Sequence, residues 1–432
     1  MSLNDCSTAQ SSRTNHHSVV SSQSLSMRVK NVPTNAVSPR SKSATRPQLP
    51  LGTLNSPKSS LALREAIARA KAAKKKNVQP GSGAPNSFSQ NADAFGQSPQ
   101  INDHDIGIQS LLVRARSSGK LNISGRELKE IPEDVYNMYH VKLGSVDLST
   151  SEDDAWYNNV HLTTFVASDN EITRLDARLV EEFGGIELVD MRNNKLQCLP
   201  SAFIELTQLT SLNLSRNNLD NQVIALISSI SPLRILHLAE NRLTGPLFDL
   251  GLLKNLEVLD ISRNAVTSIS SYSKLRILNA EKCRLVDIPL IESLVELKVG
   301  QNKLSKIPNF PNMRSLDCHG NSLTSLPALP SSITIDAASN QISTVDTLSE
   351  SLITLLLSDN ALSTFPKSIL SQSSLTTLDI SANQIKELPG ELGLMDSLKK
   401  ILLEGNLIRD KSILTKDCES IKRLLRTRMG LE

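Results

Sequence analysis

Three residues of this 432-residue chain stand in a relation that nucleophilic chemistry could use. His237 and Asp260 occupy the same place in two consecutive copies of an eleven-residue pattern, and Ser262 follows two residues later on the same face of an extended segment. If the copies form adjacent strands, His237 and Asp260 lie about 4.8 Å apart, close enough for a His–Asp–Ser relay. An open sheet surface excludes no water and offers no evident oxyanion donors, so the pair reads as salt-bridging neighbours and no enzyme is expected. No P-loop, GxGxxG, HExxH or kinase signature occurs, and no cofactor or small-molecule substrate is expected. The five cysteines (Cys6, Cys198, Cys283, Cys318 and Cys418) form no CxxC pair, which argues against zinc and for a reducing cytoplasmic or nuclear compartment.

The same place in the other copies defines a row: Val166, Asp190, Asn213, His237, Asp260, Asn279, Lys298, Asp317, Asp336, Leu356, Asp379 and Leu402. Five carboxylates at one register make an acidic stripe, with Arg192, Arg216, Glu240, Arg263, Glu281 and Lys282 beside its first half. The partner-binding candidates are Asp190, Asn213, His237, Asp260, Asn279, Lys298, Asp317, Asp336 and Asp379. A basic segment of another protein docking along Asp317, Asp336 and Asp379 is the sharp reading. The competing one is that Asp fills the pattern and its charge is simply solvated.

The element that positions this row is L-x-x-L-x-L-x-x-N-x-L, as in LTSLNLSRNNL (209–219) and LTTLDISANQI (375–385). Its polar anchor falls at Asn170, Asn194, Asn217, Asn241, Asn264, Cys283, Asn302, Asn321, Asn340, Asn360, Asn383 and Asn406. A degenerate copy precedes these in GKLNISGRELKEIP, with Arg126 at the anchor. In each L-x-L the leucines point inward and the middle residue outward, so successive copies pair as parallel strands. The Asn amide then serves backbone groups where the chain turns away. This is the leucine-rich repeat. The expected fold is α/β: a leucine-rich-repeat solenoid, or horseshoe, with one long parallel concave sheet and helical caps at both ends. Anchor intervals run 24, 23, 24, 23, 19, 19, 19, 19, 20, 23 and 23. The short, proline-bearing returns leave no room for helices and predict a flatter stretch between roughly Leu275 and Leu362.

Residues 105–161 form the expected N-terminal cap, with a helix in IQSLLVRARSSGK, the degenerate repeat and Trp156 as a plug. Residues 162–411 hold the twelve repeats. Residues 412–432 form a closing helix, with Ile413, Leu414, Cys418, Ile421, Leu424 and Leu425 inward and Lys and Arg opposite. The first hundred residues hold 7 Leu against 59 in the rest, and 13 Lys and Arg against 3 Asp and Glu. The rest carries 34 basic and 41 acidic residues, so a formal charge of +3 conceals a basic tail on an acidic body. Residues 1–104 read as a disordered Ser-rich tail with a short basic helix near 60–77, which reads as a nuclear-import signal, a phosphate-binding strip, a partner-docking helix or simply a solvated linker. Ser38, Ser56 and Ser98, each before Pro, are candidate phosphorylation sites. No stretch reaches the about 18 apolar residues of a membrane span.

The run SGKLNISGRELKEIP, then DDAWYNNVHLTTFVASDN, then ILLEGNLIRD followed by IKRLLRTRM resembles the intracellular group typified by leucine-rich repeat-containing protein 40, over about residues 105–432. That resemblance implies a cytoplasmic or nuclear binding scaffold without catalytic activity, and no functional residues carry over. Leu407 stands where that group has Pro, the middle repeats are short, and the basic tail is extra. SLPALPSSI is similar to repeats of bacterial secreted ubiquitin-ligase effectors, which carry a large catalytic domain after the repeats. Here 26 residues follow Asn406 and Cys418 falls on an apolar helix face, so ligase activity is not expected. The expected function is a monomeric, non-catalytic intracellular scaffold binding another protein in its concave face. The alternatives are a regulatory subunit or adaptor in a phosphatase or small-GTPase pathway, and a nucleic-acid or membrane-surface adaptor acting through the tail.

Overall fold

The computed structural model describes residues 107–140 and 159–431. The tail with Ser38, Ser56 and Ser98, the basic segment 60–77 and Trp156 lie outside the described residues.

Helix α1 (Ile108–Ser118) buries Leu111, Leu112 and Ala115 against the start of the sheet. Thirteen three-residue strands follow in one parallel sheet. They are β1 (Lys120–Asn122), β2 (Thr164–Val166), β3 (Leu188–Asp190), β4 (Ser211–Asn213), β5 (Ile235–His237), β7 (Val258–Asp260), β9 (Ile277–Asn279), β10 (Glu296–Lys298), β11 (Ser315–Asp317), β12 (Thr334–Asp336), β13 (Thr354–Leu356), β14 (Thr377–Asp379) and β15 (Lys400–Leu402). The central residue of each strand points inward, so Leu212, Leu236, Leu259 and Leu278 stack directly through the register. With Leu209, Leu214 and Leu219 and their counterparts they form one continuous core. Each such leucine contributes about 1.5–3 kcal/mol by leaving water.

The anchor asparagines join each repeat to the one before it. Asn217 is 6% exposed. Its Oδ1 accepts from the Leu196 amide (2.9 Å), while Nδ2 donates to the carbonyls of Met191 (3.0 Å), Leu214 (3.0 Å) and Ser215 (3.2 Å). Asn194, Asn264 and Asn383 repeat the arrangement. Cys283 keeps one cross-repeat bond, its thiol donating to the Ile261 carbonyl at 3.2 Å. Arg126, the degenerate anchor, is held from the next repeat, its amide donating to Asn170 Oδ1 at 2.9 Å.

One feature was not anticipated from the pattern. The residue before every anchor is left-handed, from Gly125 through Arg216, Glu240, Arg263 and Lys282 to Gly405, with φ of 50 to 73°. That turn swings the chain out of the sheet and brings the anchor amide beneath it. Most of these positions are not glycine, so the ladder of bonds must offset about 1–2 kcal/mol of backbone cost at each.

Short helices lie behind the long repeats: α3 (Arg178–Glu182), α4 (Gln222–Ile227), α5 (Lys367–Leu370) and 3-10 turns at Ser201–Glu205, Phe248–Leu252 and Gly390–Leu394. A further short helix, α2 (Glu133–Tyr136), lies in the front cap. Between β9 and β13 the described returns contain no helix, as the 19-residue spacing requires. Two returns pair instead as a small second sheet, β6 (Thr244–Leu247) with β8 (Ala265–Ile269), a pairing the repeat phase does not foretell. Gly245 and Pro246 keep that return from coiling, and Leu247, Val266 and Ile269 are buried beneath it.

The closing helix α6 runs Cys418–Arg428, shorter than the expected 412–432. Asp410 draws the chain into a turn by accepting from the Ser412 amide (3.0 Å) and hydroxyl (2.6 Å), so Ile413 is buried from a turn rather than from a helix. Lys422 is the second departure: it is 3% exposed and not on the solvent side. Its ammonium donates to the Leu398 carbonyl (3.0 Å) and pairs with Glu419 (2.6 Å), capping the carbonyl end of the last return. Gly393 permits this close docking, because a Cβ there would stand 2.9 Å from the Lys422 carbonyl.

Candidate functional site

The strand register brings the whole outward row together. Asp190, Asn213, His237, Asp260, Asn279, Lys298, Asp317 and Asp336 pair one to the next across eight consecutive strands, and Asp379 follows beyond Leu356. The sheet leaves this face without a covering layer among the described residues.

Most members of the row also hold their own turn. The Oδ1 atoms of Asp190, Asn213, Asp260, Asn279, Asp317, Asp336 and Asp379 each accept from the backbone amide two residues ahead, at 2.9 to 3.3 Å. Asp or Asn is therefore favoured here for a local reason, and only the second oxygen of each carboxylate faces a visitor. Two of the expected contact residues are the most deeply set of the row. Asp190 and Asn213 are each 6% exposed, and burial pushes the Asp190 carboxyl above its ordinary range.

The His237–Asp260–Ser262 grouping does not form a relay. His237 Nδ1 stands 4.0 Å from Asp260, and the Ser262 hydroxyl turns to the Asp260 carboxylate. Burial opposes the Asp260 charge, but His237 and the Ser262 amide and hydroxyl outweigh it and hold the carboxyl below its usual value. Asn279 adds a bond to the second oxygen at 3.2 Å.

Charges in the first half are largely compensated. Arg192 meets Asp169 (3.6 Å), Arg216 meets Glu240 (3.3 Å), Lys282 meets Glu281 (3.0 Å) and Lys298 meets Glu296 (2.9 Å). Glu296 is the main reason that the Lys298 ammonium is held above its ordinary range. The second half differs. His319 serves Asp317 at 2.6 Å, but Asp336 and Asp379 have no cationic partner of their own within ion-pair distance among the described residues. Burial, then the neighbouring Asp317 carboxylate, push the Asp336 carboxyl up despite its bond from the Ala338 amide. His319 was missed in the sequence because it lies two residues off the row. Its ring lies over Gly300, where a Cβ would stand 2.3 Å from the imidazole, so that glycine acts as its seat. Asp317, His319 and Asp336 bring potential ligand atoms within 4.8 Å of one another. They could offer a cation three donors, a grouping that cysteine spacing does not reveal.

A parallel row two residues earlier in each strand was also missed. It runs Leu188, Ser211, Ile235, Val258 and Ile277, then Glu296, then Ser315, Thr334, Thr354 and Thr377. The face thus passes from aliphatic with paired charges to hydroxyl-bearing with free carboxylates.

A solenoid with such a face defines a class, the leucine-rich-repeat fold. The leucine rich repeat family profile matches residues 137–219. The chain is 41% identical over 93 residues to an adenylate cyclase of Schizosaccharomyces pombe, covering 21% of this chain and 5% of that protein. It is 30% identical over 156 residues to leucine-rich repeat and calponin homology domain-containing protein 1 of Mus musculus, covering 36% of this chain and 19% of that protein. It therefore spans only a minor part of these relatives. Among solved structures it resembles the leucine-rich repeat domain of APL1B, with a TM-score of 0.53 at 20% identity over 69% of this chain and 86% of that one. It also resembles an internalin (inlF) of Listeria monocytogenes, with a TM-score of 0.52 at 18% identity over 73% of this chain and 92% of that one. These likenesses establish the fold alone.

Proposed function

We propose that this protein is a non-catalytic scaffold that binds another protein across its concave sheet, and that Asp317, Asp336 and Asp379 receive a Lys- or Arg-bearing segment of that partner. The observation that carries the reading is the pair of uncompensated carboxylates, Asp336 and Asp379, on a sheet face left open among the described residues. At Asp336, burial and the neighbouring Asp317 carboxylate work against the charge, and an incoming cation offsets that penalty. The hydroxyls of Thr334, Thr354 and Thr377 stand ready beside it for the partner's polar backbone. The absence of any CxxC spacing among the five cysteines supports an intracellular reading, and the resemblance of the cap sequences to the group typified by leucine-rich repeat-containing protein 40 supports a binding scaffold.

Asp→Asn tests charge alone, because an amide oxygen still accepts from the backbone amide two residues ahead. The Asp317→Asn/Asp336→Asn/Asp379→Asn variant should lose most proximity-labelled partners of the full chain while its melting temperature holds or rises. If the labelled set is unchanged, the second half of the face is not the main docking surface.

A further inference from the structure

On the side of the sheet where the chain leaves each strand, the residues after three successive anchors are Arg242, Ala265 and Arg284. Ala265 has no reach, so a notch opens between the two arginines. The result is a shallow cleft, wide open to solvent, to which Arg263 and Lys282 also contribute. These four cations are not equivalent. Arg263 shares Glu240 with Arg216, at 3.8 Å, and Lys282 pairs with Glu281 (3.0 Å). Arg242 and Arg284 are exposed and form no ion pair among the described residues; Arg242 only donates to the neutral Asn218 Oδ1, at 3.1 Å. Two guanidinium groups without a carboxylate partner among the described residues thus flank one small residue, with two further cations along the rim.

We propose that this cleft binds a phosphomonoester, namely the phosphorylated side chain of a partner protein. A carboxylate brings one charge and two acceptor oxygens, too few for this donor set. A phosphoryl group carries roughly −1.5 to −2 and three terminal oxygens, and planar guanidinium forks match its geometry. Nucleic acid fits less well. A polyanionic strand must pass Glu240 and Glu281 at the rim and a body with 41 acidic against 34 basic residues, whereas a single phosphate occupies only the local positive spot. The proposal is independent of the acidic half of the concave face.

The probe is a fluorescein-labelled pentapeptide with a central phosphoserine, read by fluorescence polarisation against the full chain at moderate salt. It should bind at least about tenfold more tightly than the unphosphorylated peptide. Arg242→Ala/Arg284→Ala should weaken binding by about tenfold or more. Ala265→Leu, which fills the notch without altering charge, should weaken it comparably, and a control pair on a neighbouring surface, Lys254→Ala/Lys274→Ala, should not. Equal binding of the two peptides overturns the proposal. So does unchanged binding in the arginine and Ala265 variants, or stronger competition by a single-stranded oligonucleotide than by the phosphopeptide.

Discussion

Replacing Asn217 by Ala is the most direct test of what joins the repeats. The side chain makes four hydrogen bonds, but their loss does not strand four groups. The Met191 carbonyl keeps the Asn194 amide as donor (3.1 Å), the Leu214 carbonyl keeps Asn241 (3.0 Å), and the Ser215 carbonyl keeps the Asn193 amide (2.9 Å). Only the Leu196 amide, in a residue with no exposed surface, loses its single acceptor. One buried unsatisfied donor costs about 1–3 kcal/mol. Adding the weakened carbonyls and the small void, the expected loss is about 3 kcal/mol. Because each repeat touches only its neighbours, the damage should be local. Urea unfolding followed by far-ultraviolet circular dichroism gives the global change, and hydrogen exchange reports Leu196 and the residues around it. Asn217→Asp should be worse than Ala: it keeps the Leu196 bond but points a buried charge at three carbonyl oxygens. A loss below about 0.5 kcal/mol, or unchanged protection at Leu196, would refute the claim that the amide ladder carries the inter-repeat coupling.

Two further outcomes follow from the structure. Asp336→Asn should be more stable than the native chain at pH 7, since the folded carboxyl titrates above its ordinary 3.8 and its charge therefore costs stability at higher pH. Its advantage should shrink as pH falls through the raised folded value toward 3.8, and a melting-temperature difference independent of pH would contradict this. Lys422→Met should cost less than about 1 kcal/mol, because it removes a buried charge together with its partners' demand for it, whereas Lys422→Ala should cost about 2–3 kcal/mol through the void beneath the closing helix. Thermal unfolding of the two variants separates packing from charge, and equal losses would show that the ammonium's bonds to the Leu398 and Met395 carbonyls dominate.

The repeat phase, the strand positions, the outward row and the absence of helices from the short returns were all legible in the sequence, because leucine spacing of period two forces alternate side chains to opposite faces. Anchor spacing then sets how much chain is left to return. Local periodicity is blind to the third dimension, and each surprise lies there. Lys422 looks like a solvent residue on a helical wheel, yet the last return presents it with bare carbonyls. Asp190 and Asp336 occupy identical pattern positions, but one is buried and the other has an uncompensated charge, since their neighbours come from other repeats. His319 over Gly300, and Arg242 and Arg284 lining one cleft with Ala265, bring together residues some twenty to forty positions apart. Composition and spacing determined that this chain would stack its repeats into a single sheet. Which charges on that sheet are already satisfied, and which are left for a partner, was decided only when the strands came into register.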